Sequence, residues 1–155
     1  MNDTLTAWRS GFVRRWHSNP DLSDLHDENA AHHGRVAMLA VKLFPECSRA
    51  FLLACVTHDA AEWFVGDIAY TKRERAYAAA LDTAEAQALE AMGLTVELTP
   101  DQRRRLKLVD RLDAYLFVKH RRPHVLAGDG WPEQREWLRS EWRACGAEGN
   151  PEDVL

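Results

Sequence analysis

Apolar residues recur at helical spacing along almost the whole chain, and no segment alternates apolar and polar residues over the length of a strand. Proline and glycine separate the helical segments, as at Pro45, Gly93 and Pro123. The predicted helices span residues 4–18, 27 or 28–44, 48–64, 71–92, 99–120 and 132–144. We therefore predict an all-α fold of about six helices in one compact domain, residues 1–146, with a frayed tail at 147–155.

Charge, hydropathy and cysteine content exclude several classes of protein. The formal net charge of −4 disfavours polymeric nucleic acid and anionic membranes as partners. The sequence has neither an apolar run long enough to span a bilayer nor a basic, signal-like N-terminus. Three cysteines without C-x-x-C spacing indicate reduced thiols. We expect a protein of the cytoplasm with no membrane partner.

The densest group of chemically useful residues follows the apolar run at positions 51–56. His58 and Asp59 come directly after that run, so we expect a carboxylate beside buried surface, where it needs a cation or hydrogen-bond donors. If the helix continues, Glu62 lies one turn further on the same face. Gly66 then ends the helix, and Asp67 begins a loop at its mouth. This pattern favours hydrolytic chemistry.

Two other helices offer partners for this group. The doublet His32-His33 lies on the second helix, and periodicity leaves open which of the two shares a face with the core. Asp110 falls among apolar residues of the fifth helix. The alternative explanation for Asp110 is an ordinary ion pair with one of three arginines, Arg14, Arg105 or Arg111.

Taken together, two imidazoles and two carboxylates form a mixed nitrogen and oxygen donor set. Such a set suits a divalent cation, with Mn²⁺ or Co²⁺ preferred and Zn²⁺, Ni²⁺, Fe²⁺ or Mg²⁺ as alternatives. A structural zinc site is disfavoured because no thiolate is placed to join the set. Four protein ligands on a six-coordinate ion leave room for water and a substrate oxygen, as metal-assisted hydrolysis requires.

The order His33…His58-Asp59…Asp110 resembles the H…HD…D signature of the HD-domain metal-dependent phosphohydrolases. Within that group, the chain is similar to bacterial 5′-deoxynucleotidases and to phage deoxynucleotide phosphohydrolases of the dATP triphosphohydrolase type. The resemblance spans about residues 13–118. The stretches that carry it are Arg15-Trp16, E-N-A-A-H-H-G at 28–34, H-D-A-A-E-W-F-V-G-D at 58–67 and D-R-L-D-A-Y-L at 110–116.

This resemblance implies a role for each matching residue. The metal ligands it implies are His33, His58, Asp59 and Asp110, which selects His33 over His32. Glu62 is implied to orient or deprotonate the attacking water, and Asp67 to act as a second acid or base.

The implied substrate contacts lie elsewhere in the chain. Arg15 is the implied phosphate ligand, and Lys72 is a second candidate, because a cationic donor suits a phosphate. Trp16 is implied to pack against the sugar and exclude a ribose 2′-hydroxyl, although its spacing alone favours core packing. Residues 71–105 match only loosely, which leaves the base preference open.

The expected function is hydrolysis of the 5′ phosphoester of 2′-deoxynucleotides, which releases a deoxynucleoside with phosphate or polyphosphate. The alternative is a catalytically silent HD module that binds a nucleotide or a protein as a regulator. The resemblance also implies a homo-oligomer, in a bacterial cytoplasm or in a host cytoplasm if the protein is phage-encoded.

Overall fold

The computed structural model describes residues 3–68, 75–128 and 130–155. Those residues form α-helices and short 3-10 turns and contain no strand, which confirms the all-α prediction. An isolated antiparallel bridge pairs Arg14 with Glu28. The α-helices of the described residues are α1 (Asp3–Ser10), α2 (Asn29–Leu43), α3 (Arg49–Cys55), α4 (Glu62–Val65), α5 (Arg75–Ala91), α6 (Pro100–Arg121) and α7 (Trp131–Ala144).

Helices α2, α6 and α7 begin and end within two residues of the predicted bounds. The start of α6 shows why the sequence was sufficient there. The Thr99 hydroxyl accepts the backbone N–H of Gln102, and the Gln102 side chain accepts the backbone N–H of Thr99. This reciprocal capping, with Pro100 in the first turn, depends only on residues that are neighbours in the chain.

The first predicted helix is too long, because α1 ends at Ser10 rather than at residue 18. Backbone carbonyls just beyond Ser10 instead accept hydrogen bonds from the first two residues of α2. Gly11 and Val13 accept from the N–H groups of Ala30 and Asn29, at 2.9 and 3.0 Å. These contacts join residues far apart in sequence, so local periodicity does not report them.

The third predicted helix is also wrong, because α3 ends at Cys55 and α4 begins only at Glu62. His58 and Asp59 therefore lie in a turn and do not share a helix face with Glu62. The turn is closed by hydrogen bonds from the Ala60 N–H to the Thr57 carbonyl and from the Glu62 N–H to the Asp59 carbonyl, at 2.9 and 3.0 Å. As predicted, α4 ends at Gly66, where φ is +81°.

The chain divides into two structural units. The first contains Met1–His33 and Thr57–Val96, of which residues 3–33, 57–68 and 75–96 are described. Here α4 packs against both α1 and α5, and Ala60 and Ala61 are buried. Helix α5 ends at Ala91, one residue before the predicted end, and Gly93, which was predicted to mark that end, has φ at +67°. Its predicted N-cap, Thr71, lies outside the described residues.

The second unit contains Gly34–Val56 and Glu97–Leu155. In it, α6 packs against α3 and α7. No helix in the described ranges has the length and hydropathy needed to cross a bilayer. The unit encloses an apolar core whose largest fully buried members are Phe51, Leu108, Leu112, Leu138, Val36, Val109 and Cys55.

The predicted frayed tail is instead packed on the second unit. Leu155 is only 5% exposed and belongs to its apolar core. The Tyr115 hydroxyl donates to the Leu155 carbonyl at 3.4 Å, and the indole N–H of Trp142 donates to the Gly149 carbonyl at 3.2 Å. Glycine and proline near the C-terminus permit these turns and do not indicate fraying here.

Candidate metal centre

Three side-chain donors converge in the first unit, on His32, His58 and Asp59. Nε2 of His32 lies 3.3 Å from Nε2 of His58 and 3.3 Å from Oδ2 of Asp59. Nε2 of His58 lies 3.4 Å from the same carboxylate oxygen. Ligands bound at about 2.1 Å in tetrahedral or octahedral geometry are about 3.0–3.4 Å apart. Because the spacing and the donor types both fit, this His/Asp group can hold a divalent metal ion.

The local chain path explains this convergence. His32 lies in the first turns of α2 and is fully buried, whereas His58 and Asp59 lie in the turn before α4. Buried Ala60 and Ala61 anchor that turn. The turn, rather than a helical face, therefore presents an imidazole and a carboxylate to His32.

His33 lies next to this group without joining its close contacts. Its ring centroid is 5.0 Å from that of His58 and 5.7 Å from that of His32. Nε2 of His33 is buried and has no hydrogen-bond partner in the part of the chain that the structure describes. Burial, followed by the neighbouring His58, lowers the pKa of His33 to about 3, so its imidazole is neutral near pH 7. The contacts favour His32 as the ligand, whereas the resemblance assigns that role to His33.

Glu62 is held beside the centre by Asn29, the first residue of α2. The Asn29 amide donates to Oε2 of Glu62 at 2.8 Å and to the Asp59 carbonyl at 3.2 Å. Burial, followed by the nearby Asp59 charge, raises the pKa of Glu62 to about 8, and the hydrogen bond from Asn29 opposes that rise. Sequence reasoning did not single out Asn29, although it stands in the E-N-x-x-x-H stretch at 28–33.

Asp67 holds the backbone of Trp16. Its Oδ2 accepts the Trp16 N–H at 2.8 Å and lies 3.8 Å from Nδ1 of His17. Trp16 has φ at +67°, a left-handed conformation that is uncommon outside glycine and is often found at functional sites. The acid or base role expected for Asp67 stays a prediction, and the contact with Trp16 is a further use of this carboxylate.

Arg15 and Trp16 share another acid, Asp27, which is buried. Oδ2 of Asp27 lies 3.6 Å from Nη1 of Arg15 and accepts the Trp16 indole N–H at 3.4 Å. The Arg15 guanidinium carbon lies 5.2 Å from the centre of the Trp16 ring. The positive charge of Arg15 also lowers the pKa of both His33 and Glu62, so Arg15 is close enough to the metal centre to interact with its titratable groups. Nothing in the sequence pattern distinguished Asp27 from the acids around it.

Asp110 is a partly buried residue of α6 in the second unit. Among the arginines proposed as its partners, Arg105 pairs with Asp101 at 3.0 Å, Arg111 stacks on Trp137, and Arg14 donates to the Ser23 carbonyl at 2.8 Å. Lys72 lies outside the described residues.

The shifted pKa values of His33 and Glu62 predict a bounded pH window for the stability of the metal-free protein. Between pH 6.5 and about 3, His33 binds a proton more readily in the unfolded chain than in the folded one. The free energy of unfolding therefore decreases as the pH is lowered through this range. Above pH 4.5 the unfolded chain loses the Glu62 proton first, so stability falls as pH rises toward about 8. Each group changes the free energy of unfolding by at most about 1.4 kcal/mol per pH unit. Between pH 4.5 and 6.5 the two changes have opposite signs.

Urea unfolding from pH 3 to pH 9 in the presence of a chelator tests this window. We expect a plateau near pH 4.5–6.5 with a decline on each side. Glu62→Gln should remove the alkaline decline and leave the acidic one. An alkaline decline of the same slope in that variant would show that Glu62 is not its source.

Comparison of the chain with protein-family profiles, curated protein sequences and solved structures gives no match. The proposed function therefore rests on two features of the chain. One is the convergence of His32, His58 and Asp59 beside Glu62. The other is the order of the histidine and aspartate motifs in the sequence.

Proposed function

We propose that the protein is a metal-dependent phosphohydrolase that cleaves the 5′ phosphoester of 2′-deoxynucleotides. The products are a deoxynucleoside and phosphate or polyphosphate. The observation that carries this proposal is the group of His32, His58 and Asp59, whose donor atoms lie 3.3–3.4 Å apart. A carboxylate suited to accept a proton, Glu62, is tied to the same turn.

His32, His58 and Asp59 would hold the cation. Asp110 is proposed as a fourth ligand on the order of the motifs in the sequence. Mn²⁺ or Co²⁺ suits such a set of imidazoles and carboxylates. When bound, a divalent cation polarises a phosphoryl oxygen and lowers the pKa of a water molecule toward neutrality.

The chain's own residues supply the other parts of the reaction. The ionised form of Glu62 would accept the proton of the attacking water, and because burial raises the pKa of Glu62 to about 8, that ionised form is a stronger base than an exposed carboxylate. Arg15 would bind the phosphate through its planar guanidinium, which offers paired donors. Asp67 would serve as the second acid or base while it holds the Trp16 backbone.

Trp16 is proposed to select the deoxy sugar. Asp27 accepts the indole N–H of Trp16, and Asp67 accepts its backbone N–H, so both the ring and the backbone of this residue are held in place. A ribose 2′-hydroxyl placed against this ring would lose water without gaining a partner, at a cost of about 1–3 kcal/mol. That cost corresponds to about a 5- to 150-fold preference for the deoxy substrate.

Trp16→Ala should therefore narrow the deoxy-to-ribo ratio of kcat/KM, mainly by improving turnover of the ribonucleotide. Arg15→Ala is the matched control. It should lower kcat/KM equally for the ribo- and the deoxynucleotide, because its proposed contact is with the phosphate that both substrates carry. The measurement is kcat/KM for paired ribo- and deoxynucleotides in the wild type and both variants. An unchanged ratio in a folded, metal-binding Trp16→Ala protein would remove the basis for deoxy selectivity.

The decisive experiment for the reaction itself is a substrate panel. Metal-free protein is reloaded with each divalent ion and incubated with mono-, di- and triphosphates of ribo- and deoxynucleosides, and the products are separated by chromatography. Free deoxynucleoside is expected from at least one substrate. Metal binding without any phosphate release would instead favour the silent nucleotide-binding module.

A further inference from the structure

Asn29 makes contacts that helix formation does not require. The side chain that caps a helix N-terminus normally belongs to the residue before the first helical one, whereas Asn29 is the first residue of α2. The Asn29 side chain donates to two groups outside α2, the Glu62 carboxyl group at 2.8 Å and the Asp59 carbonyl at 3.2 Å. Both partners are acceptors, so the contacts fix the orientation of the amide with its nitrogen toward them.

The Asn29 side chain also destabilises the fold through its carbonyl oxygen. The residue is 0% exposed, and its Oδ1 is buried with no hydrogen-bond partner among the described residues. A buried carbonyl oxygen without a partner destabilises a fold, and such groups are uncommon in native proteins. Leucine has a similar size and would avoid the unpaired oxygen. The two hydrogen bonds that the amide donates, to Glu62 and to the Asp59 carbonyl, therefore explain the presence of asparagine better than packing does.

We infer that Asn29 is a positioning residue that fixes the Glu62 carboxylate against the turn carrying Asp59. One Glu62 oxygen is engaged by Asn29, which restricts rotation of the carboxylate and aims its other oxygen. The second hydrogen bond, to the Asp59 carbonyl, gives Glu62 and the metal-binding turn a common anchor. The kinetic part of this inference rests on the proposed function, whereas the mechanical part does not.

The kinetic test uses Asn29→Leu, which keeps the approximate size and removes both donors. Supporting groups around metal sites typically contribute about 10- to 100-fold, and we expect a loss of that size in kcat with KM changed less than about threefold. In a Glu62→Met background, Asn29→Leu should lower kcat by less than about threefold further, because the carboxylate it positions is gone. Losses that multiply in the double variant would overturn the inference.

A second test needs no activity and uses urea unfolding of the metal-free protein. Asn29→Leu should lower the midpoint when Glu62 is present, because the partly buried Glu62 carboxyl group loses its donor. In the Glu62→Met background, the same substitution should lower the midpoint much less or raise it. Equal shifts in both backgrounds would show that Asn29 does not act through Glu62.

Arg35→Met provides a matched control on the same helix. Arg35 donates to Asp113 in the second unit, at 2.7 and 3.0 Å, and its removal should destabilise the protein by a similar amount in both Glu62 backgrounds. If wild-type protein releases no phosphate from any substrate, the proposed function fails. The unfolding cycle still decides the Asn29 inference, since coupling would support it and additivity would overturn it.

Discussion

Replacing His32 with alanine is expected to weaken Mn²⁺ or Co²⁺ binding by more than about 100-fold and to abolish phosphate release. Outer groups around metal sites already cost about 10- to 100-fold in affinity or activity when removed, and loss of a direct ligand should exceed that. Nε2 of His32 lies 3.3 Å from both His58 and Asp59. The alanine variant therefore lacks one of the three donor atoms that would hold the metal ion.

His33→Ala is the matched control for this prediction, because the two histidines are adjacent and both buried. It should weaken metal binding by less than about tenfold. The measurement is metal affinity by calorimetry or Co²⁺ absorption, alongside phosphate release. If His33→Ala loses the metal and His32→Ala retains it, the assignment from sequence resemblance is right and the assignment from contacts is wrong. Asp110→Ala, measured in the same series, tests the proposed fourth ligand.

Glu62→Gln is expected to lower kcat by about 10²- to 10⁴-fold, the usual contribution of a general acid or base. Metal affinity should change little, because Glu62 is not among the three converging donors. Glutamine retains an oxygen that can accept from Asn29, so the local packing should persist. The variant therefore separates proton transfer from structure.

Single-turnover rates with saturating metal and substrate measure this effect directly. Glu90→Gln makes the same chemical change at an exposed position of the first unit and should leave the rate unaltered. Near-wild-type turnover in Glu62→Gln would assign Glu62 a structural role only. A large loss of metal in the same variant would instead make Glu62 a ligand.

Much of the helical architecture was predictable because its determinants are local. Helix α6 begins where Thr99 and Gln102 cap each other, and the turn after α5 contains a glycine in the left-handed region, Gly93. The residues that form the donor group were also recognisable, because a histidine-aspartate pair after an apolar run needs a partner. Local sequence signals were sufficient wherever capping and burial acted between near neighbours.

The sequence left open, or misplaced, the features that depend on distant residues. The turn at residues 56–61 interrupts the predicted third helix and moves His58 and Asp59 off the helical face shared with Glu62. Periodicity alone could not choose within the His32-His33 doublet, since a rotation of about 100° separates the two on a helix.

Sequence by itself determined the helical class, the chemical types of the site residues and their order along the chain. The tertiary structure decided which of those residues touch, and it added Asn29 and Asp27, whose importance lies entirely in their partners. The physical reason is that helix propensity and capping act within one turn. The position of a buried donor relative to a carboxylate depends on hydrogen bonds and packing between segments about 30 residues or more apart in the chain, as for Asn29 with Asp59 and Glu62.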